Sequence, residues 1–213
     1  LPLIFRDQLG MSNAEHWKIY LPVFALSFIA AVPLIIFAEK YQKIKPLLVG
    51  SVGLLVLAQL LMSLSMQVNW SLVLWFLAFF VSFNFLEAVQ PSLVAKYSGV
   101  NTKGTAMGIF STSQFMGIFA GGIIGGLLLD QGSRSMVLLF GAAAALVWLT
   151  LIVSLPTPRF YKSRLLKLNP SMLNDSKSTT LALYEVPGIK EVAIAIDEGV
   201  AYLKVDSKEL DES

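Results

Sequence analysis

The sequence lacks the residues that most enzymes and metal sites use. Its 213 residues include no cysteine and a single histidine, His16, and only 14% are charged. The absence of cysteine excludes disulfides, thiolate metal sites and a cysteine nucleophile. No His, Asp and Glu cluster has the spacing of a metal site, and no glycine-rich phosphate loop is present. His16 stands at the start of a predicted helix, which disfavours a serine–histidine dyad. The sequence therefore predicts no enzyme, no metal and no cofactor.

Long apolar runs fill the first three-quarters of the chain. Each has the roughly 20 residues that an α-helix needs to cross a ~30 Å hydrocarbon layer at ~1.5 Å per residue. The runs are Trp17–Ala38, Pro46–Gln67, Trp70–Ala95, Thr105–Leu129 and Arg134–Leu155. They predict an all-α polytopic membrane domain over residues 1–168, whose main partner is the lipid bilayer.

Basic residues concentrate in one set of the predicted loops. That set holds Lys40, Lys43, Lys45, Lys96, Lys103, Arg159, Lys162, Arg164 and Lys167, and the other set holds Arg6, Lys18 and Arg134. Because cytoplasmic loops carry the excess of Lys and Arg, the first set and the C-terminus are predicted to be cytoplasmic. The position of these charges at helix ends favours membrane topology over nucleic-acid binding as their explanation.

Both ends of the chain suggest incomplete units. Leu1–Phe5 is apolar and ends at Arg6, which predicts the last turns of a helix that begins earlier in a longer protein. Residues 169–178 form a polar linker, and residues 179–213 a small α+β domain. That domain is predicted to contain a helix near Thr179–Tyr184 and strands at Glu191–Ile196 and Val200–Val205. These elements cannot bury enough surface to be stable alone, so the domain is predicted to be partial.

Glu87 is the most unusual charge because it lies inside the third apolar run, nine residues before Lys96. A carboxylate at that depth costs about 2.5–3.5 kcal/mol on insertion scales. Asn84 and Gln90 share its helix face, so the stripe is expected to face a bundle interior or a water-filled cavity. Desolvation favours the neutral acid, which makes Glu87 a candidate proton site or counter-charge for a cationic substrate. A hydrogen bond between packed helices is the alternative, and Gln114 is a candidate for the same cavity.

Glycines recur every four residues in the fourth run: Gly117, Gly121 and Gly125 form one row, and Gly122 and Gly126 another. Small residues at this spacing let two helix backbones approach closely. Static packing is the favoured interpretation, and a surface that slides during a conformational change is the alternative.

The turn after the first run carries an acid followed by bases: Glu39, Lys40 and Lys43. Glu39 is a candidate to pair with a neighbouring helix end and so latch one state. The alternative is a positive-inside loop with one incidental acid.

Several segments resemble the major facilitator superfamily. Lys103–Phe110, Gln114–Gly117 and Gly121–Leu128 are similar to the loop into the eleventh helix of its drug–proton antiporters. Ala38–Lys43 resembles the second-half copy of its cytoplasmic signature, except that the glycines are missing and Gln42 stands at one such place. Further segments resemble a branch with a cytoplasmic ferredoxin-like domain after helix twelve, namely Asn84–Val94, Val186–Val192 and Val200–Asp206.

The resemblance implies the major facilitator fold, with the end of helix seven and helices eight to twelve in residues 1–168 and part of a ferredoxin-like domain in residues 179–213. It implies proton-coupled export of small amphipathic or drug-like compounds by alternating access, in a bacterial inner membrane. The implied partners are protons, a small-molecule substrate and a missing N-terminal half. The alternative is a membrane-anchored sensor or interaction protein that acts through its C-terminal domain.

Overall fold

The computed structural model describes residues 12–64, 70–99, 102–131, 134–155, 162–169, 172–173 and 175–206. Within these ranges five long helices are apolar enough to cross a membrane, which confirms the five predicted spans. They are α1 (Trp17–Lys40), α2 (Ile44–Leu64), α3 (Trp70–Tyr97), α4 (Lys103–Asp130) and α5 (Arg134–Ser154). The helix remnant predicted at residues 1–5 lies outside the described residues.

The chain divides into two compact units, and the division falls within α3 and α4. One unit is Leu1–Gln90 with Gln114–Thr157, and the other is Pro91–Ser113 with Pro158–Ser213. Each unit has a hydrophobic core of its own.

The core of the first unit forms where α1, α2 and α3 meet. Its fully or nearly buried members are Val23, Ala58, Met62, Leu72 and Phe76. The ring of Phe76 packs edge-on against Tyr20 of α1, with 5.3 Å between ring centroids, and against Phe80 one turn further along α3, at 4.9 Å. Such edge-to-face pairs are a favoured aromatic geometry and fix how the helices face one another.

Helices α2 and α5 pack closely along much of their length. Gly141 of α5 lies against Gln59 of α2, and a Cβ atom at Gly141 would overlap the Oε1 atom at the end of the Gln59 side chain. Gln59 is buried, and its Nε2 atom donates to the Leu55 carbonyl at 3.3 Å. About one turn further along α2, the Ser135 hydroxyl of α5 donates to the Ser63 carbonyl at 3.2 Å.

Helix α1 ends in a Schellman motif at the turn into α2. The N–H of Lys43 bonds to the Ala38 carbonyl at 3.0 Å and that of Gln42 to the Glu39 carbonyl at 3.3 Å. Gln42 has a φ of 53°, in the left-handed region that favours glycine. The residue that stands in place of a signature glycine therefore adopts the backbone conformation of a glycine.

The second unit contains a three-stranded antiparallel sheet in the order β1-β3-β2, with β1 at Lys162–Lys167, β2 at Ile189–Ala195 and β3 at Val200–Val205. The short helix α6 (Ser176–Glu185) packs on β2. Buried residues between them form the second core: Leu168, Ile189, Ala201, Leu203 and Val205. The helix and the two strands predicted for this part of the chain are confirmed.

The sheet and its helix also include residues predicted to belong to the membrane domain and to the linker. Strand β1 lies within the range 1–168 assigned to the membrane domain, yet it pairs with β3 along its whole length. Helix α6 begins at Ser176, inside the range 169–178 assigned to the linker. Strand β1 was not predicted because its basic residues match a positive-inside loop as well as a strand. Its two leucines, Leu165 and Leu166, are also adjacent and both exposed, so the segment lacks the alternation of apolar and polar residues that indicates a strand.

Candidate functional site

The structure brings Glu87 and Gln114 into direct contact. Glu87 lies on α3 and Gln114 on α4, and the Nε2 atom of Gln114 donates a hydrogen bond of 2.9 Å to Oε1 of Glu87. Glu87 is exposed on the surface of the described helices and Gln114 is half-buried. A hydrogen bond to an ionised carboxylate is about twice as strong as one between neutral groups. The contact therefore joins two helices through a group whose charge can change.

Pro91 adds a second polar feature to this part of α3. It stands four residues after Glu87 and has no N–H to donate to the Glu87 carbonyl, so that helical hydrogen bond is missing. Helix α3 continues through Pro91 to Tyr97. Glu87 therefore carries both a side-chain carboxyl group and a backbone carbonyl that lacks its helical donor.

Asn84 and Gln90, the other members of the predicted polar stripe, have different surroundings. Both are half-buried. The Nδ2 atom of Asn84 donates to the hydroxyl of Ser27 on α1 at 2.9 Å, and Ser27 is fully buried and donates in turn to the Phe24 carbonyl. Asn84 thus makes a hydrogen bond between α1 and α3. A role for Asn84 and Gln90 in a polar cavity stays a prediction.

The glycine rows of α4 have open surroundings within the described chain. A Cβ atom at Gly117, Gly121, Gly122 or Gly126 would meet no heavy atom within 4 Å, and one at Gly125 would meet only Val137 Cγ1 at 4.0 Å. No side chain described for α4 is buried. Because four of these five glycines have no neighbouring heavy atom within 4 Å of a Cβ position in the described chain, their predicted packing role stays a prediction.

The predicted signature residues surround the Schellman turn. Glu39 and Lys40 lie in the last turn of α1, and Lys43 follows Gln42 in the turn. The Nζ atom of Lys40 lies 5.8 Å from the centroid of the Tyr41 ring, a cation–π distance.

Lys45, two residues after Lys43, contacts another helix end. Its ammonium group donates to the Val153 carbonyl at 3.2 Å and to the Leu155 carbonyl, both at the C-terminus of α5. A cation at a helix C-terminus is favoured by the helix dipole.

Sequence reasoning missed three polar residues at contacts between helices: Ser27 and Lys45 hydrogen-bond to another helix, and Gln59 lies against Gly141 of α5. Each would be unremarkable at its position, since a serine and a glutamine in an apolar run and a lysine in a loop are all common. The signal for Gln59 was its place in the middle of a predicted span, where an amide needs a partner. Gly141 offered a weaker signal, as an isolated glycine before a run of alanines. Across the described parts of the chain no three His, Cys, Asp or Glu residues gather in a possible metal site.

Comparison with known proteins identifies relatives of the same kind. The Major Facilitator Superfamily profile matches residues 1–193. The chain is 41% identical over 199 residues to the inner membrane transport protein YajR of Escherichia coli (strain K12), which covers 93% of this chain and 44% of that protein. It is 38% identical over 133 residues to an uncharacterized transporter of Buchnera aphidicola subsp. Baizongia pistaciae, and this alignment covers 61% of this chain and 33% of that protein. The chain thus spans less than half the length of either relative.

The five long apolar helices define a polytopic membrane protein, and a carboxyl–amide hydrogen bond links two of those helices. Because the family profile matches residues 1–193, this chain belongs to the Major Facilitator Superfamily. Its similarity to YajR extends over 93% of its length. The superfamily and the fold class predicted from the sequence are confirmed.

Proposed function

We propose that this chain forms one half of a secondary active transporter in a bacterial inner membrane, and that Glu87 is its proton-binding group. One observation carries the proposal: the hydrogen bond between Glu87 and Gln114 joins two membrane helices at a carboxyl group. The names of the relatives support the transporter class and, for YajR, the inner membrane. The excess of Lys and Arg in one set of loops supports a cytoplasmic C-terminus.

The pair responds to protons through the strength of its hydrogen bond. Ionised Glu87 accepts a charge-assisted bond from Gln114, and protonation removes the charge and weakens that bond. No side chain described for α4 is buried, so packing within this chain holds α4 weakly. Loss of the bond therefore frees α4 to change its position relative to Glu87, and the proton biases an equilibrium between two arrangements.

Transport requires the remainder of the protein. In alternating access, two halves rock about a site near the membrane midplane, and the exposed carboxyl of Glu87 is available to face such a site. The proposed substrates are small amphipathic or drug-like compounds exported in exchange for protons. Asn84, Gln90 and Gln114 would line the polar side of the path, and the α4 glycines would shape a helix contact.

The test uses the whole protein that contains this chain, reconstituted in liposomes with a pH-sensitive dye inside and ethidium as the transported probe. We expect Glu87→Gln to lower ethidium-coupled proton flux by about tenfold or more. Gln114→Leu should reduce the flux less, since the proton-binding group remains. The matched control is Glu185→Gln, which neutralises an exposed carboxylate at the end of α6.

The results separate this proposal from its rivals. Full coupled flux in Glu87→Gln would contradict the role of Glu87. If the protein is a membrane-anchored sensor, Glu87→Leu would leave activity intact, whereas deletion of residues 170–213 would abolish it. If Glu87 only packs helices, Glu87→Gln would retain the bond to Gln114 and the flux together.

A further inference from the structure

Lys204 is buried on the side of the sheet where its strand should face solvent. Side chains alternate along a strand, and Leu203 and Val205 of β3 point into the core of the sheet. Lys204, between them, must point the other way. It is nevertheless only 8% exposed. A lysine is rarely buried unless its charge is paired, so the groups around it are informative.

Those groups are at the C-terminal end of membrane helix α3. The ammonium group of Lys204 donates to the Lys96 carbonyl at 3.4 Å and to the Ser98 carbonyl. Helix α3 ends at Tyr97, so both carbonyls are at the terminus where a helix lacks intrahelical donors. The cation also compensates the negative end of the helix dipole. Lys204 is thus a C-terminal cap that a strand of the sheet supplies to α3.

The sheet is arranged to place an acid beside this cap. Glu191 of β2 is the cross-strand partner of Lys204, and its Oε2 atom lies 3.2 Å from Nζ. A bulge at Lys190 lets Glu191 stand opposite Lys204 while Ile189 stays opposite Val205 in the core.

A glycine makes room for the same contact. A Cβ atom at Gly99, two residues after α3, would lie 2.8 Å from Oε1 of Glu191. The buried cation, the helix-end carbonyls and the glycine are three separate features of one contact.

We infer that Lys204 is a positioning residue that couples the C-terminal domain to α3, the helix that carries Glu87. The inference rests on the function proposed above. The segment Pro91–Tyr97 belongs to the same compact unit as the sheet, and that segment begins at the proline that interrupts the hydrogen bonding of α3 just after Glu87. Through Lys204 the domain holds the end of α3 and limits its movement during transport.

The contact itself is tested by cross-linking in the whole protein, to which this chain contributes no native cysteine. Gly99→Cys with Glu191→Cys should cross-link with a short bis-methanethiosulfonate reagent. Glu198→Cys is the control partner for Gly99→Cys, because Glu198 lies in the turn before β3, about 20 Å from Lys204 at ~3.3 Å per residue. Adding Lys204→Met should lower the yield about fivefold, the effect expected of losing one capping cation, whereas Lys204→Arg should preserve it. Equal yields with Lys204 and Met would overturn the inference.

The consequence for transport is measured with the ethidium assay. Lys204→Met should change turnover about fivefold in either direction with little change in KM, because the proposed role of Lys204 is to position the end of α3, and Lys204→Arg should restore the rate. Lys177→Met, at an exposed lysine of α6, is the matched control. Unchanged turnover in Lys204→Met would overturn the coupling even if the cross-link forms. A native protein that moves neither ethidium nor protons would instead contradict the proposed function, and the cross-linking result would still decide the contact.

Discussion

Replacing Gly141 by alanine places a methyl group against the buried amide of Gln59. The new Cβ atom would overlap Oε1 of Gln59 and lie 3.2 Å from Cδ and 3.8 Å from Nε2. Gln59 is 7% exposed, so its side chain has little room to move aside, and movement would also disturb its hydrogen bond to Leu55. The variant is therefore expected to push α2 and α5 apart or to strain Gln59.

The magnitude follows from two opposed effects. Overpacking of this kind costs about 1–3 kcal/mol, while exchanging glycine for alanine inside a helix contributes up to about 1 kcal/mol of stability. Gly53→Ala on α2 is the matched control, because a Cβ atom there meets nothing within 4 Å. Gly53→Ala therefore gains the helix stability of alanine without the cost of overpacking. Gly141→Ala should thus be about 1–3 kcal/mol less stable than Gly53→Ala.

The assay is reversible unfolding of the whole protein in mixed detergent micelles with increasing dodecyl sulfate, followed by circular dichroism. Adding Gln59→Ala to Gly141→Ala should recover stability, because Gln59→Ala removes the overlapping atoms. In the double-mutant cycle, the double variant should therefore lose less stability than the sum of the two single variants. Equal stability of Gly141→Ala and Gly53→Ala, or a double variant no more stable than the sum of its parts, would refute this account of the α2–α5 contact.

Three further predictions concern helix ends. Gln42→Gly should raise the unfolding midpoint by an amount equivalent to about 1 kcal/mol in the same detergent assay, because it relieves a left-handed φ of 53°, and no gain would contradict the strain. Lys45→Met should increase hydrogen exchange in the last turn of α5, where its ammonium group binds the Val153 carbonyl, and unchanged protection there would disprove the cap. The hydrogen bond from Ser178 lowers the pKa of Asp175, the N-cap of α6, so its stabilisation is present above the unfolded-state pKa and is lost as pH falls through the lower folded value. Amide protection of α6 should therefore fall in acid in the native protein, and the acid-dependent part should vanish in Asp175→Ala.

Local patterns were sufficient wherever one segment decides its own structure. A run of about 20 apolar residues must form a helix in lipid, because only internal hydrogen bonds satisfy its backbone there. Alternation and a turn signal were likewise enough for β2 and β3. The contact of Glu87 with Gln114 was partly foreseen, since an acid in an apolar span requires a polar neighbour and Gln114 was a candidate for the same cavity.

Segments that depend on distant partners were not predictable in this way. Strand β1 forms because β3 offers it an edge, although its basic residues resemble a membrane-proximal loop. Asn84 was grouped with Glu87 by helical spacing, yet its amide bonds to Ser27 on α1. From the sequence, Gln42 indicates only that a signature glycine is missing. The structure shows that Gln42 nevertheless adopts the left-handed backbone conformation of that glycine.

The class of this protein follows from its amino-acid sequence alone, because apolar runs of this length require membrane helices and an acid inside one of them requires a polar neighbour. The pairing of the polar groups depends on how the helices and strands pack. The tertiary structure paired Glu87 with Gln114, placed Gln59 against Gly141, and carried Lys204 to the end of α3. The physical reason is range, because helix formation in lipid is settled within one segment, whereas hydrogen bonds between side chains depend on how separate segments pack.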